Sequence, residues 1–426
     1  MRTLLPLLAL LLLHACGSAP QAMKRDNQVA LYGKGTSQLR LNARVYHRSE
    51  ENSTVFYKLN TRDLLYKSDG TGGPYRAVVR ILYESYADWG SKQLLDSAST
   101  LVQDFTTDTD EERELIGNLE LRRSAGRSFL LRITARDLNR DQESSLVVRV
   151  EREVNGSKQY FMPTDSANAL PLFADHLMPG KAVRIRCEAF ADRTLRGTHH
   201  IPDGALPTPV FATNSGNRSD PPADSTFQVN VDKEGRFLFA PSEPGIYHFE
   251  TDNTDGNALA GRYSLFVLEQ SYPYVDDSAD MLKPLRYITS MQEFDRLAAA
   301  PQPRKAIERF WLDACGDRER AREAIRIYYG RVENANRHFS ALVEGWRTDR
   351  GLVHIIFGTP TTIYKTEGNE TWIYGEENNL MSLTFNFVKR KSAFSDNDLV
   401  LDRDPVLKGA WYRNVESWRN GRIYQN

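Results

Sequence analysis

Asp349, Arg350, His354 and Glu370 are the side chains whose types and proximity in the chain could do chemistry, since a carboxylate beside an imidazole can move a substrate proton. The first three lie in Gly345-Trp346-Arg347-Thr348-Asp349-Arg350-Gly351 and the apolar run that follows, which ends in Gly358-Thr359-Pro360. Such a set would suit a hydrolase with its site near Asp349 and His354. No nucleophile accompanies it by motif, because Gly-x-Ser-x-Gly, His-Glu-x-x-His, Walker and dinucleotide glycine patterns are all absent. The competing reading is structural and is preferred. Thr348 and Asp349 would bond nearby backbone N–H groups at a turn, Gly351 would supply a positive φ, and Trp346 would pack the corner. His199-His200 near Asp203 form a second cluster, but zinc needs further ligands that the spacing does not offer. They read as solvated histidines of a long loop over 193–222. Cys187 and Cys315 read as lone buried thiols. No catalytic residue, metal or cofactor follows.

These residues need elements to hold them. At 426 residues the chain should divide into about three domains. The 55 basic and 56 acidic residues balance, which removes the global field that nucleic-acid binding would use. Residues 1–15 form a signal peptide, with Arg2 before the leucine-rich stretch Leu4 to Leu13, too short to span a bilayer. Leu13-His14-Ala15-Cys16-Gly17 resembles a bacterial lipobox, so Cys16 is expected to be the lipidated N-terminus, and 16–36 the tether. Gly17 after the cysteine fits outer-membrane sorting, and the lack of an acidic cluster there fits a periplasm-facing anchor.

Residues 37–154 alternate apolar and polar positions over seven short strands, as in Leu39-Leu41-Ala43-Val45, with turn residues between them. That pattern predicts a β-sandwich. Residues 155–273 predict a second one, and Pro244-Gly245-Ile246-Tyr247 resembles an immunoglobulin-type corner whose tyrosine bonds back to the backbone. After 280 the period becomes helical. Lys305 to Ala314, a break at Gly316, an N-cap at Asp317 and the series Ala321, Ile325, Tyr328, Val332, Ala335, Phe339 predict an αα-hairpin. Val353 to Phe357 reads as a strand covered on both faces because of its β-branched content, with a helix capped by Thr348 as the competing reading. Strands at 363–365, 371–374 and 383–388, an edge at 399–401 and a helix over 412–418 complete a small sheet domain over 280–426.

Phe310-Trp311, Arg331-Val332-x-x-Ala335-Asn336-x-x-Phe339, Gly345-Trp346-x-Thr348-Asp349-Arg350-Gly351, Gly358-x-Pro360 and Glu370-Thr371-Trp372-Ile373-Tyr374 occur in one order. That order resembles the GWxTD-domain-containing lipoproteins of Bacteroidetes-type envelopes. The resemblance implies an outer-membrane location and a C-terminal module of helical hairpin plus antiparallel sheet; it implies no activity. The motif residues Gly345, Trp346, Thr348, Asp349, Arg350, Gly351, Gly358, Pro360 and Trp372 are accordingly read as structural or partner-binding. Asp224-Ser225-Thr226 and Asp277-Ser278-Ala279 resemble the O-glycosylation acceptors of such envelopes, making Ser225 and Ser278 candidates.

The expected function is that of a non-enzymatic, lipid-anchored scaffold with an envelope protein partner, serving outer-membrane assembly or protein export. Binding of a glycan or surface polymer is the alternative, and hydrolysis the third.

Overall fold

Strict alternation builds the first unit. In the computed structural model, whose described residues are 27–29, 32, 39–49, 52–68, 70, 73–121, 128–151, 157–213, 219–251, 260–268, 271–376 and 379–422, seven strands form it. They are β1 (Asn42–His47), β2 (Ser53–Asn60), β3 (Tyr75–Tyr86), β4 (Leu94–Thr106), β5 (Glu114–Leu121), β6 (Phe129–Asp137) and β7 (Gln142–Val150). The sheets β1-β2-β5 and β4-β3-β6-β7 face each other. Between them lie Val45, Val55, Val79, Ile81, Ile133 and Leu131, the inward set of each period-two strand. Cys16 and the leader fall outside the described residues.

The second sandwich uses β8 (Met162–Asp165), β9 (His176–Leu177), β10 (Val183–Arg186), β11 (Thr194–His200), β12 (Ser225–Asn230), β13 (Arg236–Phe239), β14 (Gly245–Thr251) and β15 (Arg262–Val267). Its sheets run β13-β10-β8 and β12-β11-β14-β15-β9. The Tyr247 hydroxyl donates to the Glu243 carbonyl at 3.1 Å, the expected corner bond. One sequence expectation fails here. Thr194 to His200 is not loop but β11, the strand between β12 and β14. Its Gly197 lets the Phe227 ring lie against the backbone; a Cβ there would be 2.2 Å from that ring. His199 and His200 are therefore buried strand residues rather than solvated ones, bonding the Pro244 carbonyl at 3.0 Å and the Pro221 carbonyl at 2.9 Å.

The C-terminal module begins with α1 (Ser278–Leu282) and α2 (Met291–Ala298), followed by the hairpin of α3 (Pro303–Cys315) and α4 (Arg318–Phe339). Asp317 caps α4 by accepting from Glu319 N, and Gly316 takes φ 66° to end α3. Then comes α5 (Asp349–Phe357), where a strand was expected. Thr348 caps it through Gly351 N, and every residue of it is buried, so the all-apolar run reflects enclosure on all sides rather than pleating. The strands β16 (Thr362–Lys365), β17 (Asn369–Tyr374), β18 (Leu383–Lys389) and β19 (Leu399–Asp402) pair antiparallel in chain order, and α6 (Lys408–Arg419) closes the chain's described part.

The three units are joined by charged and apolar seams. Arg44 of β1 pairs with Asp175 and donates to the Leu172 carbonyl at 3.0 Å, and Tyr46 bonds Glu188. From the second sandwich the segment after β11 reaches into the C-terminal core, where Val210 is wholly buried beside Leu206 and Phe211. Burying a valine side chain of this kind contributes about 2 kcal/mol. Tyr32, within the segment read as tether, also belongs to that core.

Candidate functional site

The Gly345–Gly351 segment turns the chain from α4 into α5 through a single 3-10 turn, Gly345–Arg347. Two glycines make that turn by close approach. A Cβ on Gly345 would sit 1.8 Å from the Ala335 carbonyl oxygen, and one on Gly351 would sit 1.9 Å from that of Gly345. Gly351 is thus required for contact inside α5 and not, as its sequence context suggested, for a positive φ. Trp346 fills the corner against Tyr287 at 5.9 Å edge to face; its N–H donates to Asn336 Oδ1 at 3.1 Å and its carbonyl accepts from the Tyr287 hydroxyl at 2.8 Å. Thr348 Oγ1 donates to the Gly345 carbonyl at 2.8 Å and accepts from Gly351 N at 3.1 Å.

The next two residues point into separate buried pairs. Asp349 accepts from Arg403 Nη2 at 2.6 Å and Nη1 at 3.2 Å, and from Leu401 N at 2.8 Å. Arg403 donates onward to the Thr208 carbonyl at 3.1 Å, so the motif aspartate helps to hold the second sandwich. Arg350, 1% exposed, donates to Glu370 at 3.1 Å and to Asn397 Oδ1 at 2.6 Å, with its guanidinium 5.0 Å from the Phe339 ring centre.

Glu370 is shared. It also accepts from the Tyr32 hydroxyl at 2.7 Å, pairs with Lys365 at 2.9 Å and accepts from Trp372 Nε1 at 3.2 Å. Burial alone would raise its pKa, but Arg350 and Lys365 outweigh that and hold it at about 2. Good geometry and extra hydrogen bonds are what allow so buried a set of charges to persist.

His354 lies apart from both. Its Nε2 accepts from Asn334 Nδ2 at 3.0 Å, and burial, with Arg331 and His338 nearby, lowers its pKa to about 3. The structure therefore does not bring Asp349, His354 and Glu370 into one site, and each is at least 92% removed from solvent. Gly358 ends α5 with φ 86°, and its carbonyl accepts from the Tyr374 hydroxyl at 2.8 Å. Pro360 is buried directly after it, and Trp372 is buried under Phe339 and Phe387. Ser225 is exposed at the start of β12, whereas Ser278 is half-buried at the first position of α1.

Tyr32, Lys365, Asn397 and Arg403 escaped sequence reasoning. Tyr32 offered one signal, since it ends the short apolar run Val29-Ala30-Leu31-Tyr32 within the segment read as tether. Lys365 and Glu370 become cross-strand partners only through the β16–β17 register.

Among the described residues no group of three or more His, Cys, Asp or Glu is placed to hold a metal ion. Cys187 and Cys315 are buried free thiols, and burial pushes that of Cys187 up to about 12. No helix among the described residues is long and apolar enough to cross a membrane. A cleft of about 1370 Å³ opens between the three units, lined by residues such as Glu84, Arg132, Asp175, Arg337 and Asp396, of both signs.

Tandem β-sandwiches that dock a buried-charge α/β module define a modular β-rich protein whose C-terminal motif is architectural. Residues 245–420 match the model of the GWxTD domain. The chain is a GWxTD-domain-containing protein, and the matched region begins at Gly245, so it takes in β14 and β15 of the second sandwich. No curated protein matches the chain. Among solved structures it is similar to red sea bream transglutaminase, at 9% identity and a TM-score of 0.17, covering 56% of this chain and 32% of that one. A calcium-binding mutant of Bacteroides uniformis β-glucuronidase 2 gives 12% identity and a TM-score of 0.19, with 42% and 18% covered. The major pilin subunit BcpA of Bacillus cereus gives 11% and 0.14, with 54% and 64% covered. The chain thus spans about a third of the transglutaminase and under a fifth of the glucuronidase.

Proposed function

We propose that this protein is a lipid-anchored envelope scaffold, held by Cys16 in the outer membrane, facing the periplasm and serving outer-membrane assembly or protein export without catalysis. The observation that carries the interaction reading is β4. This edge strand, Leu94–Thr106, contains no Lys, Arg or Pro. Natural sheet edges are ordinarily blunted by such residues or by bulges. The one register shift of β4 against β3 lies at its first residues, where Ser85 faces Asp96 and Tyr86 faces Leu94, leaving Asp96 to Thr106 in unbroken register. Its two charges are occupied, Asp96 by the Tyr83 hydroxyl at 3.0 Å and Asp104 by Arg113 at 2.8 Å. Leu95, Leu101 and Phe105 stand exposed on its outer face. An extended partner segment could add to this edge through main-chain hydrogen bonds, with alternate side chains giving specificity. Burial of Asp349, His354 and Glu370 in separate pairs speaks against the hydrolase alternative.

Crosslinked membranes supply the test. The wild-type chain should recover an envelope protein assembly, and a Ser99→Pro, Leu101→Lys variant, which spoils the edge without touching the core, should lose it. Equal recovery by both chains, or retention on a polysaccharide column with no protein recovered, would overturn the reading.

A further inference from the structure

The most exposed large apolar side chains of the described chain lie at one end of the C-terminal module. Leu380 is 101% exposed and Met381 87%, both in the turn between β17 and β18, and Val406 is 81% exposed. β19 runs antiparallel to β18, so the chain carries Val406 back toward that same turn. Exposed Tyr412 and Lys408 on α6 lie at this end too, since their neighbour Trp411 packs 6.2 Å from Phe357, which touches Tyr374 and Phe385 beside the turn. The β6–β7 hairpin turn, by contrast, carries the polar tip Asn139-Arg140-Asp141. A cluster of bare aliphatic side chains at a tip marks an interaction site.

The path of the N-terminal segment says what covers it. Asn27 is bonded to the start of β16, donating to the Thr361 carbonyl at 2.7 Å and accepting from Ile363 N at 3.0 Å. The Thr361 hydroxyl in turn accepts from Gly375 N at 3.1 Å, at the root of the Leu380 turn. Gln28 N donates to the Ile363 carbonyl at 2.8 Å, and Tyr32 bonds Lys365 at the other end of β16, so Asn27, the first described residue, lies at the end of the module that bears Leu380. Cys16 precedes Asn27 by eleven residues, which span at most about 40 Å when extended.

We infer that the turn bearing Leu380 and Met381 is a second membrane contact, dipping into the lipid surface to which Cys16 is tethered. The inference rests on the lipid-anchored reading above. Aliphatic residues enter the acyl boundary while Tyr412 and Lys408 suit the headgroup level. Glu376, Asp402 and Asp404 stand nearby, so the contact is apolar in origin and does not depend on anionic lipid.

The test uses the processed full chain with an environment-sensitive dye on Leu380→Cys, which is selective because Cys187 and Cys315 are buried. On phosphatidylcholine vesicles the dye should shift to the blue and be quenched by spin-labelled acyl chains. The same dye on Leu101→Cys should do neither. A Met381→Asp change added to the labelled chain should weaken the quenching. If Cys16 is acylated by mass and the chain floats with vesicles, yet the dye at 380 neither shifts nor is quenched, the contact is overturned and the anchor stands. Absence of acylation and of flotation would instead overturn the anchored reading itself. A shift seen only on adding envelope protein, and not on pure lipid, would assign the tip to a protein partner and overturn the inference.

Discussion

Replacing Asp349 by alanine tests whether the motif aspartate is a building element. The change strips Arg403, 5% exposed at its side chain, of both carboxylate bonds and leaves Leu401 N without its acceptor. Removing one partner of a buried pair costs about 3–5 kcal/mol, because the other charge stays buried and uncompensated. The orphaned Leu401 N–H adds to this, though the two penalties share one site and do not simply sum. A loss of about 4 kcal/mol is expected for Asp349→Ala. Asp349→Asn keeps an oxygen for Leu401 N and should lose less. Adding Arg403→Met to Asp349→Ala removes the stranded charge and should recover part of the loss.

Urea unfolding followed by tryptophan emission reads the right unit, since Trp311, Trp346, Trp372, Trp411 and Trp418 all lie in the C-terminal core and only Trp89 lies elsewhere. The reasoning is refuted if Asp349→Ala stays within about 1 kcal/mol of wild type, or if the double variant is no more stable than the single one.

Gly351→Ala must move the Gly345 carbonyl, which lies 1.9 Å from the added Cβ, so the C-terminal module should unfold at much lower urea, by about 3 kcal/mol or more. A near-neutral result would show that the turn is not close-packed. Acid should weaken this module early. His354 takes its proton near 6.5 when unfolded and near 3 when folded, so stability is full above pH 6.5 and falls as pH drops toward 3. The unfolded chain binds the extra proton in that window, and His354 alone should cost about 2 kcal/mol at pH 5. Urea midpoints at pH 7.5 and 5, compared with those of His354→Gln, check this, and equal slopes would refute it. Tyr32→Phe removes one hydrogen bond to Glu370, for a loss of about 1–2 kcal/mol measured by the same titration. Tyr247→Phe deletes the corner bond to Glu243 and should lower the melting transition of the second sandwich by a similar amount, read by calorimetry.

Much of this fold was legible because its signals are local. Period-two strands, the Asp317 cap, the glycine after α3 and the corner tyrosine each act over a few residues. Two misreadings have one cause. β11 looked like loop because it opens the stretch 193–222, which is rich in Gly, Pro, Asn and Ser; Phe227 lying against Gly197 and the flanking strands impose the pairing. α5 looked like a strand because its β-branched residues favour one locally, and burial on every face overrides that preference.

The amino-acid order by itself determined the class of each unit, the family motif and the positions where the chain must turn, since caps, turns and amphipathic periods are written in neighbouring residues. The tertiary structure alone decided what the motif's charges do. Arg350 meets Glu370, Lys365 and Tyr32, and Asp349 meets Arg403, across separations that no local rule encodes. Only the packed core could choose those partners, because a buried charge persists where an opposite one is fixed within hydrogen-bond reach.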